Sequence, residues 1–206
     1  MKMAKKFLAV ALAGVLALSV LTGCGASVKS KDIADALNKM GFKVQNIDIK
    51  VEQSDDMDKT AENTLKAIEA IVNAPANAAK PDTDPNKITL DNAVKPDGKV
   101  IKINIDSYYN MGNEDVKRAL GVVAASSVPA YKANANKHVK VALVKTENAT
   151  KDASLQAALV KDGLVAANNI APTADQKFVE PGKLGSAKTS DGKYILVVIA
   201  TAVVEK

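Results

Sequence analysis

The chain contains one cysteine, Cys24, one histidine, His138, one arginine, Arg118, and no tryptophan. A single cysteine excludes an internal disulfide, so stability must come from a packed core. Aromatic residues make up only 3% of the sequence. Beyond position 24 they are Phe42, Tyr108, Tyr109, Tyr131, Phe178 and Tyr194. Stacking platforms for sugars and aromatic-rich partner hot spots are therefore not expected. Nucleic-acid sites use arginine forks together with stacking aromatics, and this chain is poor in both, so no nucleic-acid partner is expected. His138 lies between Lys137 and Val139 with no recognisable ligand or acid partner nearby in sequence, which predicts an exposed residue at the edge of a strand. No Gly-x-Ser-x-Gly pattern surrounds any serine, Ser126 and Ser127 included, so a nucleophile elbow is absent.

What the sequence does contain is concentrated at its start. Lys2, Lys5 and Lys6 precede residues 7–20, which carry no charge. That is the layout of a secretory signal. The uncharged run is shorter than the ~20 residues that a membrane-spanning helix needs. Directly after it stands Leu21-Thr22-Gly23-Cys24. These four residues resemble the lipobox of bacterial lipoproteins. The resemblance implies that residues 1–23 are a signal peptide, that cleavage precedes Cys24, and that the Cys24 sulfur carries a diacylglycerol with the new amino terminus acylated. It further implies attachment to the extracytoplasmic face of the cell membrane. Two or three acyl chains hold stably where one holds marginally, at about 0.8 kcal/mol per buried methylene.

Removal of the signal takes away three lysines and lowers the formal charge from +5 to +2. Residues 24–29 are then a short lipidated tether, each residue reaching at most ~3.6 Å, and the folded body is expected close to the bilayer. The remaining length suffices for a sizeable core of Val, Ile, Leu and Ala.

Along the body, Ile33, Leu37 and Met40 recur at helical spacing after Ser30, a candidate N-cap, and before Gly41, predicting a helix over residues 31–40. Ile47, Ile49 and Val51 alternate with polar residues, predicting a strand. Ser54 or Asp55 can cap a second helix with Ala61, Leu65, Ile68 and Val72 inward, ended by Pro75. Residues 75–96 read as loop, and Asp97-Gly98 turns into a second strand at Ile101, Ile103 and Ile105. The order then repeats. A third helix is predicted after Asn113, a third strand at Val139, Val141 and Leu143, and a fourth helix over 152–167 with Leu155, Ala158 and Leu159 on its apolar face. A loop follows from Pro172, and a last strand, 194–200, is apolar on both faces and so predicted central. Asp191-Gly192-Lys193 repeats Asp97-Gly98-Lys99 after 94 residues, the separation that also relates Leu65 to Leu159. An internal duplication of a helix-strand-helix-loop-strand unit, residues 30–110 and 113–206, is expected, as one joint domain or two lobes. The predicted class is α+β: a mostly antiparallel sheet with helices packed on one face.

Candidate chemistry is sparse. Asp82-Thr83-Asp84-Pro85-Asn86 places oxygens at alternate positions as a calcium loop begins, but Lys87 stands where glycine is required and Ala93 where a bidentate glutamate is required, so a solvated acidic loop is expected. Asp55, Asp56 and Asp58 suit the positive end of a helix dipole. Tyr108-Tyr109 marks a candidate contact surface. No cofactor, metal or catalytic residue is predicted. The expected role is non-enzymatic: a membrane-anchored protein that binds an envelope protein or a small ligand, or supports the envelope. Two alternatives are an envelope hydrolase drawing carboxylates from Asp106, Glu114 or Asp115, and a solute-binding lipoprotein of a transporter.

Overall fold

A computed structural model describes residues 28–94, 111–122, 134, 136–146, 149 and 151–206. Fourteen elements follow in order. They are α1 (Ser30–Lys39), β1 (Lys43–Val44), β2 (Ile47–Asp48), β3 (Val51–Gln53), α2 (Asp55–Val72), α3 (Pro75–Ala78), α4 (Leu90–Ala93) and α5 (Met111–Leu120). Then come β4 (Lys137–Lys145), α6 (Ala153–Gly163), β5 (Val165–Asn168), β6 (Gln176–Phe178), β7 (Gly182–Lys188) and β8 (Tyr194–Glu205).

The protein is α+β, with a mixed, mostly antiparallel sheet in the order β3-β7-β8-β4-β5. Among the described strands only β3 and β7 run parallel. β8 is central, antiparallel to β7 on one side and to β4 on the other, because a strand with no polar face can be buried only between two others. β6 and β7 lie end to end along β8. The register steps by two residues between Phe178↔Val203 and Lys183↔Ala200, so Glu180 and Pro181 bulge out of the ladder.

Helices cover both faces of this sheet, where one face was predicted. The two sides of β8 seed separate cores. Ile195, Val197 and Ile199 pack with Ile33 and Leu37 of α1 and Ala157 and Val160 of α6. Leu196, Val198 and Ala200 pack with Ala61, Leu65 and Ile68 of α2 and Val116 and Leu120 of α5. An apolar strand with two apolar faces needs a cover on each, which a single helical layer cannot provide.

Several predicted boundaries moved for identifiable reasons. The first predicted strand splits into β2 and β3 because its first part pairs back on β1 and its last part joins β7. Gln45 and Asn46 both take positive φ, 50° and 65°, and form a two-residue turn between Val44 and Ile47. The fourth helix ends at Gly163 and the chain returns as β5, antiparallel to β4. Its apolar face is also rotated from the predicted one. Leu155 and Leu159 are 51% and 41% exposed, whereas Gln156, Ala157 and Val160 are buried. Asp152 Oδ1 caps the helix through the Ser154 and Leu155 amides, and Gln156 Nε2 donates to the Ala149 carbonyl at 2.8 Å; together they set the phase. The loop predicted from Pro172 contains β6 and β7. The second predicted strand, 100–106, lies outside the described residues, so the halves of the expected duplication have no complete pair of units to compare; α1 and α5, matched in sequence, lie on opposite faces.

Candidate functional site

The densest polar cluster lies where the described chain begins. Ser30 opens α1, and its hydroxyl donates to Asp58 Oδ1 at 2.6 Å. The Ser186 amide donates to the same oxygen at 2.9 Å, and Gln53 Nε2 donates to Asp58 Oδ2 at 2.7 Å. The Ser30 and Ser186 hydroxyls are 2.6 Å apart. Four elements meet here: α1, the end of β3, the first turn of α2, and β7. Gly185 permits the meeting, since a Cβ at that position would fall 1.9 Å from the Met57 carbonyl carbon.

Ser30 was the predicted N-cap of α1, but the cap is Lys29, whose amide donates to Asp32 at 2.8 Å. The Ser30 hydroxyl is thereby left for the long-range bond to Asp58. A shallow groove of about 530 Å³, lined by Lys29, Lys31 and Lys188, opens beside this cluster. Lys188 Nζ also donates to the Val28 carbonyl at 3.0 Å. With both carboxylate oxygens of Asp58 accepting hydrogen bonds, the cluster fits holding the start of α1 against the sheet.

At the other end of β7, about 20 Å away along seven residues of strand, a larger groove of about 790 Å³ is lined by Ile47, Pro172, Phe178, Val179 and Val204, with Lys177 and Lys206 at its margin. Ile47, Val179 and Val204 are exposed. Thr173, Gln176 and Glu180 also line it, and its apolar side chains suit a hydrophobic segment of a ligand or partner.

His138 is a correction to the sequence reading. It starts β4, as predicted, but is 2% exposed. Its ring meets Phe178 edge-on, with centroids 5.7 Å apart and planes at 70°. Neither ring nitrogen has a hydrogen-bond partner. Burial, and secondarily the charge of Lys140, lowers its pKa, while the nearby Ile170 carbonyl pulls the other way from outside hydrogen-bond geometry. Burial also lowers the pKa of Lys140. The prediction failed because alternation along β4 faces His138 toward the α1–α6 side, where Phe178 of β6 packs against its ring.

The remaining nominated residues are dispersed. Asp115 is exposed and pairs with Arg118 at 3.2 Å; Asp106 and the side chain of Glu114 lie outside the described residues. So do Cys24, Tyr108, Tyr109, Ser126 and Ser127. Asp82 is bound by Lys87 Nζ at 2.8 Å, and that hydrogen bond and charge lower its pKa; the Asn86 amide donates to Asp84 at 2.7 Å. The acidic loop thus folds around its own lysine. Among the described residues no group of three or more His, Cys, Asp or Glu side chains is arranged to hold a metal, and no helix is long and apolar enough to cross a membrane.

The clusters that the sequence did not reveal are joined over long separations. Ser30, Asp58 and Ser186 share no local motif, and the lining of the apolar groove comes from β2, the β5–β6 connection, β6 and the end of β8.

Fold and grooves together define the class as an α+β protein with a two-sided mixed sheet. Compared with protein-family models, curated proteins and solved structures, the chain matches none.

Proposed function

We propose that this chain is a bacterial lipoprotein, held at the extracytoplasmic face of the cell membrane by lipid on Cys24, whose body has a non-enzymatic role in binding an envelope protein or small ligand. The observation that carries the reading is Leu21-Thr22-Gly23-Cys24 after three lysines and an uncharged run. The fold supports it in two ways. Val28, four residues beyond Cys24, is tied to Lys188, so the chain enters the body at one end of the sheet after a reach of at most ~14 Å. The groove lies toward the opposite end of β7, which leaves it accessible to a partner if the body is tethered at Val28.

The test is the intact mass and fractionation of the natural protein beside Cys24→Ser. The expected species begins at Cys24, carries diacylglycerol and acyl mass, and sediments with membranes, while Cys24→Ser carries no lipid and loses that attachment. A free Cys24 thiol, or residues 1–23 still present on the mature chain, would overturn the proposal.

A further inference from the structure

Buried polar groups in folded proteins are nearly always hydrogen-bonded, yet three such atoms on adjacent strands have no partner among the described residues. Two are the ring nitrogens of His138 and the third is Thr201 Oγ1. His138 and Thr201 stand directly opposite each other in the β4–β8 ladder. Gly182 leaves the room for the hydroxyl, because a Cβ there would fall 2.8 Å from it.

The cover over this pair is thin. Phe178, edge-on to the imidazole, is the last residue of β6, which pairs with only Val203, Val204 and Glu205 of β8. Two further backbone bonds flank the pairing, from the Val179 amide to the Ala202 carbonyl at 2.8 Å, before the bulge at Glu180 and Pro181, and from the Lys206 amide to the Asp175 carbonyl at 2.9 Å. A strand of this length opens at low cost relative to the nine paired positions of β4 and β8.

Of the groups around the ring, only the Ile170 carbonyl favours a proton, and burial and Lys140 outweigh it. β4 presents Lys140 on the same face, β8 presents Thr201, β6 presents Phe178, and the chain after β5 presents the Ile170 carbonyl. Glu205, further along β8, is exposed and accepts from Gln176 at 3.0 Å. Among the described residues no carboxylate acts on the imidazole.

We propose that His138 is a proton-operated latch: neutral, it lets Phe178 seat β6 on the sheet, and protonated, it releases β6 together with the wall of the apolar groove. The direction follows from linkage. A histidine held below its ordinary value of 6.5 by burial takes up its proton more readily once the cover opens. The closed state therefore has its full advantage above about pH 6.5 and loses it as pH falls toward the folded value, with the open fraction rising about tenfold per pH unit inside that window.

The experiment is hydrogen exchange on the full chain between pH 7.5 and 5, with rates divided by the intrinsic rate at each pH. His138→Phe and His138→Leu are measured alongside. Because the chain has one histidine, a single imidazole resonance reports its titration without assignment. The expected result is loss of protection in residues 176–178 and 203–205, about tenfold per pH unit, with the β4–β8 centre unchanged, both variants flat, and the imidazole titrating below 6.5. Protection independent of pH, equal loss in the variants, or equal loss across the whole sheet would each overturn the latch. So would an imidazole that titrates at 6.5 or above. If the variants fail to fold, the wild-type titration and exchange pattern still decide.

Discussion

Replacing Gly185 with alanine should pry α2 away from β7. The added Cβ would lie 1.9 Å from the Met57 carbonyl carbon, 2.1 Å from its oxygen and 2.2 Å from the Asp58 amide nitrogen. Optimal contact between carbon atoms is about 3.5 Å or more, so the first turn of α2 must retreat by roughly 1.5 Å. All three clashing atoms are backbone, and no rotamer change relieves them. Retreat stretches the bonds that Asp58 accepts from the Ser186 amide and the Ser30 hydroxyl, 2.9 and 2.6 Å, each worth about 1 kcal/mol net. It also loosens Met57 and Ala61 from the core they share with Leu196 and Val198, at an overpacking cost of about 1–3 kcal/mol.

The total, roughly 3–5 kcal/mol, is a large share of the 5–15 kcal/mol that stabilises a typical domain. With no tryptophan to follow, urea denaturation should be read by far-ultraviolet circular dichroism. For a slope near 2 kcal/mol/M the midpoint should fall by about 1.5–2.5 M. Gly41→Ala is the control. Its φ is +66° but nothing lies within 4 Å of the new Cβ, so only backbone strain of about 1–2 kcal/mol is expected. If Gly185→Ala costs no more than Gly41→Ala, the claim that α2 rests its backbone on β7 is wrong.

Asn38→Ala should expose the edge of the sheet. The Asn38 amide donates to the Val51 carbonyl and accepts from its amide, both at 2.8 Å, on the side of β3 that faces no strand. Its loss should lower stability by about 1–3 kcal/mol and raise concentration-dependent association in light scattering; unchanged stability would show that water replaces the side chain fully. On α6, Leu155→Ala and Leu159→Ala should each change stability by less than about 0.5 kcal/mol, and Val160→Ala by about 2 kcal/mol. Denaturation midpoints in the reverse order would restore the helix phase read from the sequence.

Much of the sheet and helix pattern could be read locally. α1, α2, β4 and β8 follow from short-range periodicity, since each repeats its apolar residues at one spacing on faces that do become buried. β8 even revealed its central place, because a strand apolar on both sides has no face for water. Misreadings came where a local pattern admitted two answers. Leu155 and Leu159 make a plausible helical stripe, but the Asp152 cap and the Gln156 bond turn α6 so that a smaller face, Ala157 and Val160, packs on α1. His138 looked like an isolated polar residue at a strand edge, and only the path of β6 across the end of the sheet buries it.

What the sequence by itself determined is the class, and it carries the features on which the proposed address rests. A signal-like start and Leu21-Thr22-Gly23-Cys24 are linear features that need no fold to be recognised, and α+β character follows from hydrophobic periods set by backbone geometry. The tertiary structure alone decided which distant groups meet: Ser30 with Asp58 and Ser186, the walls of the apolar groove, and His138 with Thr201 and Phe178. Those meetings depend on strand order and on close backbone approaches such as that at Gly185. Such contacts span up to 156 residues of chain, far beyond the few residues over which local periodicity carries information.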